Sequence, residues 1–173
     1  MRVSEAIRGR RNVRRFSDRP VDPEVLVRVV DAARRAPSSM NEQRWDFVLV
    51  TERELLRRVA GLGGYADHVA EAGAAVALVT PDHTDPEERE SIAFDLGQAA
   101  ENLMLAAWEE ELGSCHATIE DQVGIRDLLG IPESHRCELV LSLGHPSDAA
   151  VLSTPPRRGG RRPLQDVFHR ERW

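Results

Sequence analysis

The chain contains no lysine. All 23 of its lysine-or-arginine positions are arginine, which excludes any mechanism built on a lysine Schiff base. Cysteine is scarce, with Cys115 and Cys137 alone, so a reduced, cytoplasmic setting is expected rather than a secreted disulfide scaffold. Aromatic residues make up only 5% of the chain. A core so poor in rings must be filled by Leu, Val, Ile and Ala, which suits close helix packing. No apolar run approaches membrane-spanning length. The start, Met1-Arg2-Val3-Ser4-Glu5, has no apolar signal region, so no membrane association is expected. The net charge of -6 argues against a general nucleic-acid binder. Neither a Ser-His-Asp set nor a glycosidase-type carboxylate pair stands at an interpretable spacing. With no evident nucleophile, any chemistry falls to a cofactor.

What is present fits a single domain over residues 1–173, since 41% of a 173-residue chain is hydrophobic, enough for a core. The organising stretch is residues 91–113. Ile92, Leu96, Ala99, Leu103 and Ala106 form one apolar stripe at helical spacing. Ala93, Gly97, Ala100, Met104 and Ala107 form a second stripe beside it, so the helix is expected to be buried on more than one side. Gly97 costs a helix about 1 kcal/mol relative to alanine, which predicts close approach of a second helix there. Gly113 is expected as the glycine that ends this helix.

A short helix is expected over residues 3–8. Gly9-Arg10-Arg11-Asn12-Val13-Arg14-Arg15-Phe16 follows as a compact cationic loop. Its guanidinium forks suit phosphate oxygens, although a solvated, salt-bridged surface has the same composition. Asp22-Pro23-Glu24 marks a helix start, with Val25, Leu26, Val29, Val30 and Ala33 on its apolar face. Pro37-Ser38-Ser39-Met40-Asn41-Glu42-Gln43-Arg44-Trp45 is a polar loop. Its hydroxyls and carboxamides can read a ligand bearing hydroxyls or carbonyls, or can stabilise their own turn. Residues 47–50 read as a strand buried on both faces, residues 53–62 as an amphipathic helix, and residues 74–80 as a second buried strand. Gly61-Leu62-Gly63-Gly64 follows a helix rather than a strand and is rejected as a dinucleotide loop. Residues 81–86 are a loop. Cys115 and His116 lie on a short strand over residues 114–119, where neighbours face opposite ways, so no metal site is expected. A helix runs from Asp121 or Gln122 to about Leu129, and a last buried strand covers residues 137–144. From Asp148 the chain is rich in Pro, Gly and Arg, yet Leu164, Val167, Phe168 and Trp173 lie beyond. Residues 150–173 are therefore expected to be an extended arm that docks, with another subunit as one candidate surface. Helices interleave with strands in a mixed layer structure.

Four segments in order carry a resemblance. They are Arg10-Arg11-Asn12-Val13-Arg14-Arg15-Phe16, Ala36-Pro37-Ser38-Ser39-Met40-Asn41-Glu42-Gln43-Arg44-Trp45, Glu101-Asn102-Leu103-Met104-Leu105-Ala106-Ala107, and Arg161-Arg162-Pro163-Leu164. Together they resemble the FMN-dependent nitroreductase family, short bacterial type, over nearly the whole chain. The resemblance implies an α+β, three-layer fold with a central, mostly antiparallel sheet flanked by helices, a long interface helix and an extended C-terminal arm. It implies a homodimer with FMN in the groove between subunits, NADH or NADPH as electron donor, and a small oxidised acceptor such as a nitroaromatic, a quinone or another flavin. By position, Arg10, Arg11 and Asn12 resemble the segment that holds the FMN phosphate, and Arg161 the arm arginine that completes it. Arg14 resembles the basic residue near N1 and the C2 carbonyl of the flavin ring. Pro37, Ser38, Ser39, Asn41 and Gln43 resemble the loop that contacts the flavin, which in the family can come from the other subunit. Ala117 and Thr118 fall where backbone groups approach N5 and O4.

Four positions depart from the family pattern. Asn12 stands in place of serine, His116 in place of tryptophan, and Thr118 in place of glycine. Arg44 replaces a proline before Trp45, a change expected to loosen that loop. Two other functions remain compatible with the residues: a flavin-binding protein with little turnover, and an arginine-mediated binder of nucleic acid or an acidic partner through Arg10, Arg11, Arg14, Arg15, Arg157, Arg158, Arg161 and Arg162.

Overall fold

A computed structural model describes residues 3–153 and 160–173; Arg157 and Arg158 of the arm lie outside the described residues. Among the described residues, four strands form one antiparallel sheet. They are β1 (Asp46–Val50), β2 (Ala74–Pro81), β3 (Gly113–Thr118) and β4 (His135–Gly144), in the spatial order β1-β2-β4-β3. Five helices cover it: α1 (Val3–Gly9), α2 (Pro23–Ala33), α3 (Arg53–Ala60), α4 (Pro86–Glu109) and α5 (Gln122–Leu129). The α+β, three-layer expectation is met.

The layering follows from β2. Its residues from Ala74 to Thr80 are all buried, and they alternate between two cores, as a strand covered on both faces must. Val76 and Leu78 join Leu26, Val29, Leu96, Leu103, Leu141 and Leu143 beneath α2 and α4. Ala75, Ala77 and Val79 join Leu56, Val59, Ile125 and Val140 beneath α3 and α5. The small alanines let helices approach closely from both sides.

Three helices begin on aspartate caps. Asp22 accepts from the Glu24 N–H at 2.8 Å, Asp85 from the Glu87 N–H at 3.0 Å, and Asp121 from the Gly124 N–H at 2.8 Å. Each satisfies a backbone donor the helix leaves free. The second of these moves the start of α4 to Pro86, five residues before the expected Ser91.

The far end of α4 also differs from expectation. Glu111 adopts the left-handed conformation (φ 59°), and the Leu112 N–H donates to the Ala107 carbonyl at 2.8 Å. Gly113 therefore does not end the helix; it begins β3. Its lack of a side chain serves packing, since a Cβ there would lie 2.6 Å from the Val13 Cβ.

β1 is a correction of another kind. It was expected to be buried on both faces; Phe47 packs against the α2–α4 core and Val48 and Val50 against the α3–α5 core, but on an edge strand only Val50 is fully buried. A short apolar run does not reveal whether a strand will gain one neighbour or two.

The arm residues 160–173 are all exposed. Among them the His169 and Trp173 rings stack at 4.6 Å and Arg170 sits over Phe168. No helix among the described residues is long and apolar enough to cross a membrane.

Candidate functional site

The site is assembled where the N-terminal segment crosses the end of the sheet. α1 stops at Gly9, whose missing side chain leaves room for the Trp108 ring. The chain then runs extended beside β3. Asn12 bridges Ser114 in parallel, and the Val13 N–H donates to the Ser114 carbonyl at 2.9 Å. Val13 and Phe16 face inward, which leaves Arg10, Arg11, Asn12, Arg14 and Arg15 at the surface or half-buried.

The guanidinium groups there are ordered by carbonyls and by one acid. Arg11 Nη1 donates to the carbonyls of Arg8 at 2.6 Å, Arg10 at 2.8 Å and Gly9 at 3.2 Å, closing the negative end of α1. Arg10 Nη1 donates to Asn12 Oδ1 at 3.1 Å and its Nε to Glu101 Oε1 at 3.2 Å. Arg8, Arg10, Arg11 and Asn12 line a cavity of 570 Å³ together with Gly160 and Arg161 of the arm. Four guanidinium groups around one opening form a donor set for a phosphate-like anion. The structure thus brings Arg10, Arg11, Asn12 and Arg161 to one place.

A second space adjoins the first. Arg10 and Asn12 also line a cleft of 260 Å³ between α4 and β3, with Gly97, Ala100, Glu101 and Met104 on one wall and His116 and Leu139 on the other. Gly97 was expected to receive a second helix. Within this chain a Cβ at Gly97 would meet nothing within 4 Å, so the position opens the cleft.

β3 forms the open edge of the sheet at this cleft. Because the Ser114 carbonyl accepts from Val13, the backbone of Ser114 points away from β4. The two-residue period then turns the backbone groups of His116 and Thr118 to the same open edge, and those of Ala117 toward β4. The Ala117 side chain is buried in the α3–α5 core, whereas Thr118 and His116 are exposed. In the sequence His116 stands out as a rejected metal-ligand candidate and as a departure from a pattern, not as part of a cleft. Strand alternation beside Cys115 was the signal that could have placed it at the cleft.

Arg14 is exposed, with its positive charge near His68 and Cys115. The His68 ring is buried. Its Nδ1 lies 2.8 Å from Ser142 Oγ, and that hydroxyl donates to the Cys115 carbonyl at 3.2 Å. The single hydroxyl proton is thereby used, so Nδ1 of His68 carries the ring proton. Burial first, then Arg14, lowers the His68 pKa from 6.5. Burial pushes the Cys137 thiol up to about 12 and raises that of Cys115 as well, so neither has the character of a nucleophile. No group of three His, Cys, Asp or Glu side chains among the described residues could hold a metal ion.

The polar loop forms a separate wall. Pro37, Ser38 and Ser39 line a cavity of 460 Å³ with Ser91, Phe94, Asp95 and Gln98 of α4. Met40, Asn41 and Gln43 all have positive φ (49°, 59° and 52°) without being glycine. Asn41 and Gln43 are exposed. Within one chain this loop and the arginines therefore line different openings. Arg44 does not loosen the loop. It pairs with Glu88 and donates to Ser91 Oγ at 2.9 Å, tying the loop to α4.

Comparison with known proteins gives the following. The model of the nitroreductase family matches residues 7–71 and 61–145. A protein of Archaeoglobus fulgidus named "Putative NADH dehydrogenase/NAD(P)H nitroreductase" is 32% identical over 168 residues, covering 95% of this chain and 94% of the relative. The NADPH-flavin oxidoreductase of Vibrio harveyi is 29% identical over 155 residues, covering 82% of this chain and 65% of the relative. The crystal structure of nitroreductase A from Vibrio parahaemolyticus superposes with a TM-score of 0.83 at 26% identity, covering 100% of this chain and 77% of that one.

Proposed function

The chain belongs to the nitroreductase family, and from that membership we propose that it is an FMN-dependent oxidoreductase drawing electrons from NADH or NADPH. One observation carries the cofactor assignment: guanidinium groups from the N-terminal segment and from the arm line a single cavity. The donor set fits a phosphate monoester. The adjoining cleft, with Gly97 bare on one wall, leaves room for the part of the ligand beyond the phosphate.

Bound FMN would supply the hydride chemistry between a nicotinamide and the acceptor. The residues of this chain bind, orient and bias. Arg10, Arg11 and Arg161 hold the phosphate through charge-assisted hydrogen bonds, and Asn12 orients Arg10. Arg14 provides positive charge that favours electron-rich states of the ring. Thr118 and His116 present backbone groups at the open edge of β3. Ser38, Ser39, Asn41 and Gln43 supply further donors and acceptors toward the ring. No side chain is assigned as general acid; solvent supplies protons to a nitroaromatic, quinone or flavin acceptor that replaces the nicotinamide in the same pocket.

We further propose that two copies complete the site. The polar loop and the arginines line different openings within one chain. The arm also leaves Leu164, Val167, Phe168 and Trp173 uncovered, Trp173 fully so. A partner chain that receives the arm and lends its loop resolves both.

The test is anaerobic titration of the FMN-loaded protein with each nicotinamide. Bleaching by either supports turnover. A yellow protein that stays oxidised with both would instead be a flavin binder without this activity.

A further inference from the structure

Asp95 is a charged side chain in the body of α4 with only 4% of its surface exposed. A buried carboxylate needs compensating donors. Here the Ser39 N–H donates to Asp95 Oδ2 at 3.0 Å. That amide opens the turn in which Met40, Asn41 and then Gln43 take positive φ. Such conformations are costly for residues with a Cβ and persist only where the surroundings hold them. The loop's own bonds, the Gln43 N–H to Ser38 Oγ at 3.0 Å and Gln43 Nε2 to the Asn41 carbonyl at 3.2 Å, lie within the turn and do not fix it to the scaffold. Arg44 attaches its far end to Glu88 and Ser91. Asp95 attaches its near end.

We propose that Asp95 is a positioning residue: its carboxylate, through the Ser39 amide, holds residues 38–43 in the strained arrangement that meets the flavin. This rests on the reading that the loop contacts FMN. The reason for an acid at a core-facing position of α4 is then functional. A leucine would bury more favourably but would leave the Ser39 amide without an acceptor and let the turn relax.

The experiment compares the full-length wild type with Asp95→Leu, Asp95→Asn and Ser39→Pro. Two quantities are read: the Kd for FMN by quenching of flavin fluorescence, and amide exchange of a peptide spanning residues 37–45 in the FMN-free protein. Asp95→Leu should weaken FMN binding about tenfold or more, the size of a lost hydrogen bond to a charged group, and should speed exchange in the loop. Asp95→Asn keeps an oxygen for the Ser39 amide and should stay within about threefold of wild type. Ser39→Pro removes the donor instead of the acceptor. It should reproduce the Asp95→Leu loss, and it keeps the test open if the leucine variant fails to fold.

Wild-type affinity and wild-type loop exchange in Asp95→Leu or in Ser39→Pro would overturn the inference while leaving the FMN assignment standing. An asparagine variant as impaired as the leucine variant would overturn it too. A wild type that ignores FMN would instead bring down the functional reading on which the inference rests.

Discussion

Arg10 Nε lies 3.2 Å from Glu101 Oε1, joining the N-terminal segment to the middle of α4 at the seam between the two spaces proposed for FMN. The acid holds one edge of the guanidinium while another nitrogen donates to Asn12. Arg10 is thereby set in place before any ligand arrives. Its loss would remove a cation and leave Glu101 facing the anion. Arg10→Ala should therefore weaken FMN retention by about tenfold or more, with a smaller effect on the rate of flavin reduction in protein kept saturated. Arg14→Ala should do the reverse. Fluorescence titration and stopped-flow reduction separate the two effects, and equal changes in both quantities for both variants would contradict the separate roles.

The pair of His68 and Ser142 sets a pH dependence. Burial lowers the folded-state pKa of His68 below 6.5, its ordinary value. The unfolded chain then binds a proton as pH falls through that value while the folded chain resists it, so stability is present above pH 6.5 and is lost on acidification toward the lowered folded value. His145, also lowered by burial, acts in the same direction. Urea midpoints should fall between pH 7 and pH 5 by more in wild type than in His68→Asn. Ser142→Ala should cost about 1–3 kcal/mol at neutral pH by stranding the His68 N–H.

The cysteines should be silent in the native protein. Both are buried, with Cys137 pushed up to about 12 and Cys115 also raised. Thiol reagents at pH 8 should label neither on the timescale that modifies a free thiol, and both after denaturation. Prompt labelling of either residue in the folded protein would contradict their burial.

Gly113→Ala tests how the N-terminal segment is seated. The added methyl would fall 2.6 Å from the Val13 Cβ, pushing that segment off β3. A loss of about 1–3 kcal/mol is expected, or roughly 2–4 °C of Tm for each kcal/mol in a chain of this length. FMN binding should weaken in step, because Arg10 and Asn12 move with Val13.

Much of the fold was legible in the sequence where one local signal decided the outcome. The apolar run over residues 74–80 read correctly as a buried strand, and Asp22 and Asp121 announced the helices they cap. Asp85-Pro86-Glu87 carries the same starting signal as Asp22-Pro23-Glu24, but the apolar pattern that begins at Ile92 masks it. At the other end Gly113 looked like a helix stop because glycine suits a left-handed residue. That conformation went to Glu111, and glycine was needed for contact with Val13. β1 could not be placed because its exposure depends on which strands pair, information absent from a five-residue run.

The candidate site divides in the same way. Its arginines stand out as a cluster in sequence, but their meeting with Arg161 is a matter of tertiary structure. Asp95 and His116 were hidden. Asp95 carries no sequence signal of its own, and His116 shows only as the strand neighbour of Cys115 and as a departure from a pattern. Their roles depend on a loop and a cleft that exist only after folding.

The central claim is that two copies of this chain hold FMN between them. Sedimentation of the purified protein, recorded at the visible absorption of flavin, tests it most directly. The account predicts a dimer that carries the colour with it, one FMN for each chain. A colourless monomer that takes up no added FMN would contradict it.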